Sequence, residues 1–76
     1  RYKNMAKTKL AQYLKDMRKQ YCLTQEDLAE KAGVGLRFVR DIEQGKTTLR
    51  MDKVNQVLSL FGAELVPEKQ KYYEES

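Results

Sequence analysis

The chain has 76 residues and a formal net charge of +4, which suits one small domain. It contains no histidine and one cysteine, Cys22, so an intrachain disulfide is excluded and the usual zinc ligands are missing. No catalytic constellation is visible, and we expect no metal, no cofactor and no enzymatic activity. A lone cysteine suits a reducing cytoplasm, where we expect Cys22 to be a small packing residue rather than a reactive thiol.

Positive charge is concentrated in the first two thirds of the chain. Residues 1–50 contain 12 Lys or Arg against 6 Asp or Glu, whereas residues 51–76 contain 3 against 5. This asymmetry favours a polyanionic partner for the first part, although ordinary solubilising charge would give the same balance. No apolar run reaches the roughly 18 residues of a membrane span, so we expect no membrane partner.

The first predicted helix runs from about Ala6 to Tyr21. Its apolar residues have the spacing of a single helical stripe: Leu10, Leu14, Met17 and Tyr21. Its basic residues lie largely off that stripe: Lys7, Lys9, Lys15, Arg18 and Lys19. Such a helix packs on a core or lies on a membrane surface, and the segments that follow favour packing.

The segment LTQEDLAEKAG predicts a second helix with defined ends. Thr24 is the expected N-cap, and Asp27 occupies the reciprocal position of a capping box. Ala29 is small enough to let another helix approach closely. Gly33 is expected to end the helix because glycine readily adopts positive φ.

Two more helices follow. VGLRFVRDIEQG predicts one over about 36–44, capped by Gly35, with Val39 and Ile42 facing inward. KTTLRMDKVNQVLSLFG predicts another, with Thr48 as its cap. Its core face has the 0, 3, 4, 7 spacing of an amphipathic helix: Val54, Val57, Leu58 and Phe61.

After the last helix, AELVP alternates in the manner of a short strand stopped by Pro67. A single strand needs a partner, and the simplest one is the same strand of a second copy across a two-fold axis. Plain coil is the alternative. The predicted dimerisation residues are Ala63, Glu64, Leu65 and Val66. The tail at 68–76 is polar and is expected to be mobile, although Tyr72 and Tyr73 could also dock on a protein partner.

The helices at 25–32 and 36–44, joined by a glycine turn, predict a helix-turn-helix. In that motif the second helix enters the major groove of DNA. Since Val39 and Ile42 face the core, the opposite face is predicted to read bases, with the side chains of Leu36, Arg37, Arg40 and Asp41. A solvated basic face is the alternative for the two arginines, and local packing is the alternative for Leu36.

Residues at the two ends of the motif are predicted to contact the DNA backbone: Thr24, Gln25, Phe38, Lys46, Thr47 and Thr48. The sequence leaves two roles open for Phe38: contact with the sugar-phosphate edge of the DNA, or local packing. Turn formation and helix capping are the alternative roles for Lys46, Thr47 and Thr48.

LTQEDLAEKAGV followed by VRDIEQGKTTLRMDKVNQVLSLFG resembles the lambda-repressor/Cro-like, or XRE-type, helix-turn-helix family. The shared pattern is T-Q-x-x-L-A-x-x-A-G-V and then a helix ending in I-E-x-G-K. The resemblance covers about residues 8–62 and implies an all-α, compact domain of four to five helices. Many relatives have Ser or Thr at the position of Gly35, and polar residues at those of Leu36 and Arg37, so the operator sequence does not carry over.

More narrowly, GLRFVRDIEQGKTTLRMDKVNQVLSLFGAEL resembles the HipB-type antitoxins. This resemblance implies a homodimer on a palindromic operator of its own operon, a C-terminal strand that pairs between subunits, and a HipA-type serine/threonine kinase toxin as partner. We thus expect an N-terminal extension at 1–7, a DNA-binding domain at 8–62 and a dimerisation strand at 63–67. The alternative is a protein-interaction module that neutralises a partner without binding DNA specifically.

Overall fold

A computed structural model of the protein describes residues 8–69. Within them the chain forms four α-helices and no strand. The elements are α1 (Lys9–Gln20), α2 (Gln25–Ala32), α3 (Leu36–Glu43), α4 (Met51–Leu58) and a 3₁₀ turn (Ser59–Phe61). The predicted extension at 1–7, and Tyr72 and Tyr73 of the predicted tail, lie outside the described residues. No helix between residues 8 and 69 is both long and apolar enough to cross a membrane.

One apolar core lies between the helices. Its largest fully buried side chains are Leu14, Leu28, Val39, Ile42, Val54 and Val57. Helix α3 packs against α1 and α2, and α4 packs against α2. The close approach of α2 is possible because Ala29 and Ala32 are small, and both are buried. The predicted core faces of the last two helices are confirmed at Val39, Ile42, Val54, Val57 and Leu58, whereas Phe61 lies in the 3₁₀ turn and is only partly buried.

The predicted ends of α2 are also confirmed. The Thr24 hydroxyl accepts a hydrogen bond from the backbone N–H of Asp27 at 3.0 Å, and the Asp27 carboxylate accepts one from that of Thr24 at 3.0 Å. Gly33 adopts φ 74° and ψ 32°, the left-handed conformation that ends a helix. A Cβ added there would lie 3.3 Å from the side-chain nitrogen of Gln56, so both backbone and space favour glycine.

We expect Thr24→Ala to lower the free energy of unfolding by about 1 kcal/mol through loss of the N-cap. It should also weaken the acid dependence of stability in part: the backbone N–H of residue 24, which holds the pKa of Asp27 below its ordinary 3.8 most strongly, remains in alanine, and the smaller contribution of the Thr24 hydroxyl is lost. A lowered folded-state pKa stabilises the fold above the unfolded value, and that stabilisation is lost as the pH falls through the folded value. Urea denaturation between neutral pH and pH values below 3.8 measures both effects; an unchanged free energy of unfolding at neutral pH would contradict the N-cap role of the Thr24 hydroxyl.

Three predictions about α1 and the turn after it are wrong. The helix begins at Lys9, capped by Thr8, rather than near Ala6. Tyr21 is 55% exposed instead of buried, because the helix ends before it. Cys22 is exposed rather than packed, since the turn places it at φ 58°, and Leu23 packs on the core in its place.

The predicted cap of α4 is wrong as well. The N-cap residue is Arg50, not Thr48, and it makes no side-chain capping bond. The carboxylate of Asp52 instead accepts the backbone N–H of Lys53 at 2.9 Å and binds the Arg50 guanidinium at 2.8 Å. The hydrogen bond from Arg50 lowers the pKa of Asp52, and one backbone N–H of the first turn is bonded without a threonine.

The segment at 63–69 has no regular secondary structure in the single chain. Leu65 packs against the core, and its backbone N–H donates to the side-chain oxygen of Asn55 at 2.8 Å. An exposed ion pair joins Glu68 to Lys9 at 3.2 Å. The predicted strand stays a prediction, because its proposed partner is a second chain.

Candidate nucleic-acid interface

Helix α3 has one buried face and one charged face. Val39, Ile42 and Glu43 are at most 3% exposed, and they hold the helix to the core. Arg37 and Arg40 are exposed, and the side chain of Arg37 is 89% accessible. The predicted base-reading arginines therefore lie on the outer side of a fixed helix.

Leu36 and Phe38 are half-buried, and both pack against the core cluster. This packing agrees with the local role that the sequence left open for each residue. It also leaves part of each side chain accessible at the start of α3, so contact with DNA stays a prediction. Neither residue is an isolated apolar group in solvent.

Asp41 connects α3 to the loop that follows it. Its carboxylate oxygens lie 3.8 Å from Nε of Arg37 and 3.6 Å from Nζ of Lys46. The backbone N–H of Lys46 also donates to the carbonyl of Asp41 at 3.1 Å. A shallow polar cleft lies on this face, lined by Arg37, Arg40, Asp41 and Gln44. The Asp41 carboxylate therefore lies next to both a base-reading candidate, Arg37, and a backbone-binding candidate, Lys46.

The other backbone-contact candidates lie at the two ends of the helix-turn-helix. Lys46, Thr47 and Thr48 are exposed in the loop after α3. Thr24 is exposed at the start of α2, where its hydroxyl oxygen is used as a cap. The side-chain amide of Gln25 donates one N–H to Oε1 of Glu43 at 3.0 Å, which leaves its second N–H for another acceptor.

Sequence reasoning missed a buried ion pair behind this face. Arg18 was expected on the outer face of α1, but its guanidinium is 2.7 Å from Oε2 and 3.1 Å from Oε1 of Glu43. A third N–H donates to the carbonyl of Leu23 at 3.0 Å. The signal was present: Arg18 follows the core residue Leu14 by four positions, and Glu43 follows Val39 by four, so both charges lie on inward faces.

The described residues offer little to other kinds of site. Among residues 8–69 there is no group of three or more Cys, Asp or Glu side chains able to hold a metal ion. In the same part of the chain, every buried side-chain nitrogen and oxygen has a hydrogen-bond partner.

A short helix, a glycine turn and a second helix with an exposed arginine face define a helix-turn-helix domain. The sequence profile of the helix-turn-helix family matches residues 14–66, so the chain belongs to this family. It is 49% identical over 49 residues to a protein of Sinorhizobium fredii (strain NBRC 101917 / NGR234) named "Uncharacterized HTH-type transcriptional regulator y4mF". The match covers 64% of this chain and spans 64% of that protein's length. No solved structure matches the chain significantly.

Proposed function

We propose that the protein is a sequence-specific DNA-binding transcriptional repressor. The observation that carries the proposal is the face of α3, where Arg37 and Arg40 are exposed while Val39 and Ile42 fix the helix to the core. A helix held in this way can enter the major groove without reordering, and arginine can form two hydrogen bonds to guanine. The family match and the printed name of the relative support DNA-binding regulation of transcription, and repression is our proposal.

The remaining contacts follow from the position of α3. With its N-terminal half against base edges, Leu36, Arg37 and Arg40 read sequence. The loop after the helix then faces the phosphates, where Lys46, Thr47 and Thr48 fix the register. Gln25 lies at the N-terminus of α2, so its second amide N–H and the free backbone N–H groups there bind a phosphate.

The repressor acts as a homodimer in this proposal, paired through residues 63–66. Backbone groups of successive residues in an extended segment point to opposite sides. Because the N–H of Leu65 donates to Asn55, an extended conformation of residues 63–66 in the dimer would direct the N–H groups of Glu64 and Val66 outward. Neither donates a backbone hydrogen bond to another residue within 8–69, so this edge can pair with its copy. Two recognition helices then reach half-sites of a palindrome roughly 34–36 Å apart.

The biological setting we propose is a type II toxin–antitoxin operon. Residues 35–65 resemble HipB-type antitoxins, which supports autorepression and a HipA-type serine/threonine kinase toxin as protein partner. Coexpression with the product of the neighbouring gene tests this part: copurification as a stable complex is expected. If a HipA-type neighbour is present and the two proteins migrate separately, the toxin assignment fails while the repressor assignment stands.

A protein-interaction module is the second candidate function. It is favoured by exposed apolar side chains away from the base-reading candidates. Among them are Leu60, at 42% exposure, and Tyr21, whose ring lies at 50° to that of Phe61 with centroids 5.4 Å apart. Such a module would hold a protein partner without specific DNA binding. A titration of the protein with DNA separates the two functions.

That titration uses DNA from upstream of the protein's own gene, with a scrambled duplex as control, at two salt concentrations. We expect tight binding to the upstream DNA alone, weakening steeply with salt because each neutralised phosphate releases counterions. Equal weak binding to both duplexes would favour the interaction module.

Arg37→Ala should weaken operator binding by about 1–3 kcal/mol and relax specificity at one base position. The control is Lys19→Ala, which removes the same charge from an exposed position on α1, outside the helix-turn-helix. Titrations of both variants against operator and scrambled DNA measure the effect. An equal loss on the two duplexes would show that Arg37 contacts only the phosphates.

A further inference from the structure

Asp41 is the one acidic residue on the outer face of α3. The other acidic residue of that helix, Glu43, is 3% exposed and faces the core. The Asp41 side chain is 21% exposed, and it lies between Arg37 at 3.8 Å and Lys46 at 3.6 Å. A negative charge in the middle of a face that meets DNA opposes binding, so its position calls for a function.

The chemistry of a carboxylate restricts which base edge it can face. An ionised carboxylate accepts hydrogen bonds and donates none. In the major groove, guanine presents the acceptors N7 and O6, and thymine presents the acceptor O4. Adenine offers the donor N6 with the acceptor N7 beside it, whereas cytosine offers the N4 donor alone. Cytosine is therefore the base that an aspartate accommodates without repulsion.

We propose that Asp41 is a specificity-determining residue of the recognition helix, which accepts a hydrogen bond from N4 of a cytosine close to the guanine read by Arg37. Where the DNA offers only acceptors, the carboxylate repels the base edge and keeps Arg37 and Lys46 paired with itself. Arg37 is then less available to its guanine, and Lys46 is less available to the phosphates. This proposal rests on the proposed function and names part of its half-site.

Two substitutions separate the roles of charge and acceptor. Asp41→Ala removes both, so the cytosine preference should be lost, with discrimination at that position falling by about 10- to 150-fold, as expected for one hydrogen bond to a charged group. Affinity for scrambled DNA should rise, and its salt dependence should steepen by about one phosphate contact as Lys46 is released. Asp41→Asn should move the preference from cytosine to adenine, because a carboxamide can both accept from N6 and donate to N7.

The experiment selects bound duplexes from a library of randomised DNA with the wild type and each variant, and sequences them. Asp16→Asn is the matched control: it removes the same charge from an exposed position on α1, where the carboxylate contacts Gln12. That variant should select the wild-type half-site. Circular dichroism checks folding, and Asp41→Asn, which preserves shape, decides the question if the alanine variant does not fold.

A specific wild type whose cytosine preference survives in both Asp41 variants would overturn the role of Asp41 and leave the repressor function intact. A wild type that selects no sequence would overturn both. Loss of the cytosine in Asp41→Ala, together with adenine in Asp41→Asn, would establish the proposal.

Discussion

Glu43→Ala is expected to lower the free energy of unfolding by about 3 kcal/mol. The side chain of Arg18 is 15% exposed, and the substitution leaves its guanidinium without the carboxylate that it binds at 2.7 and 3.1 Å. Removing one partner of a buried pair strands the other charge, and we take the lower end of the usual range because Arg18 retains some access to water. The free energy of unfolding of a folded domain is only about 5–15 kcal/mol in total, so the change in a urea or thermal midpoint should be large.

The control is Glu30→Ala, which truncates an exposed glutamate on α2 and should change the free energy of unfolding by no more than about 0.5 kcal/mol. The double variant Arg18→Met/Glu43→Leu replaces the pair with apolar side chains and should recover most of the loss. If Glu43→Ala costs no more than Glu30→Ala, the pair does not stabilise the fold.

The same double variant separates stability from DNA binding. Oε1 of Glu43 also accepts a hydrogen bond from the side-chain amide of Gln25 at 3.0 Å. The ion pair therefore orients Gln25, the residue proposed to bind a DNA phosphate. A double variant that folds as stably as the wild type should still bind operator DNA more weakly, because Gln25 is no longer held. The buried pair thus connects the core to the proposed DNA-binding face.

Local chemistry made much of the fold predictable. The cap at Thr24 and the stop at Gly33 depend on residues within one helical turn, so the sequence contains all the information that they need. Core faces such as that of α4 follow from helical periodicity alone. The prediction for Cys22 was wrong because it rested on residue type alone, and a free cysteine is usually buried. In the structure Cys22 lies in a turn at φ 58° and is exposed.

The site was predictable only in part. The outward position of Arg37 follows from the inward position of Val39 and Ile42 on the same short helix. Arg18 and Glu43 are 25 residues apart on different helices, and helical spacing places each on an inward face without showing that the two side chains meet. Asp41 was expected on the base-reading face, but its ion pair with Lys46 depends on the course of the loop after α3.

Glu64→Pro should abolish dimerisation and reduce affinity for a palindromic operator by about 10²- to 10⁴-fold, the advantage that two linked half-sites provide. Proline has no backbone N–H, so the outward edge of residues 63–66 loses a donor. The bond from Leu65 to Asn55 stays in place, and the fold should persist. Glu64→Ala is the control, since it removes the same exposed side chain and retains the N–H. Sedimentation and operator titration measure the two effects together. A monomeric wild type, or a proline variant that still dimerises, would contradict pairing through this edge. If Glu64→Pro loses both dimerisation and operator affinity while Glu64→Ala keeps them, the strand is required for operator binding.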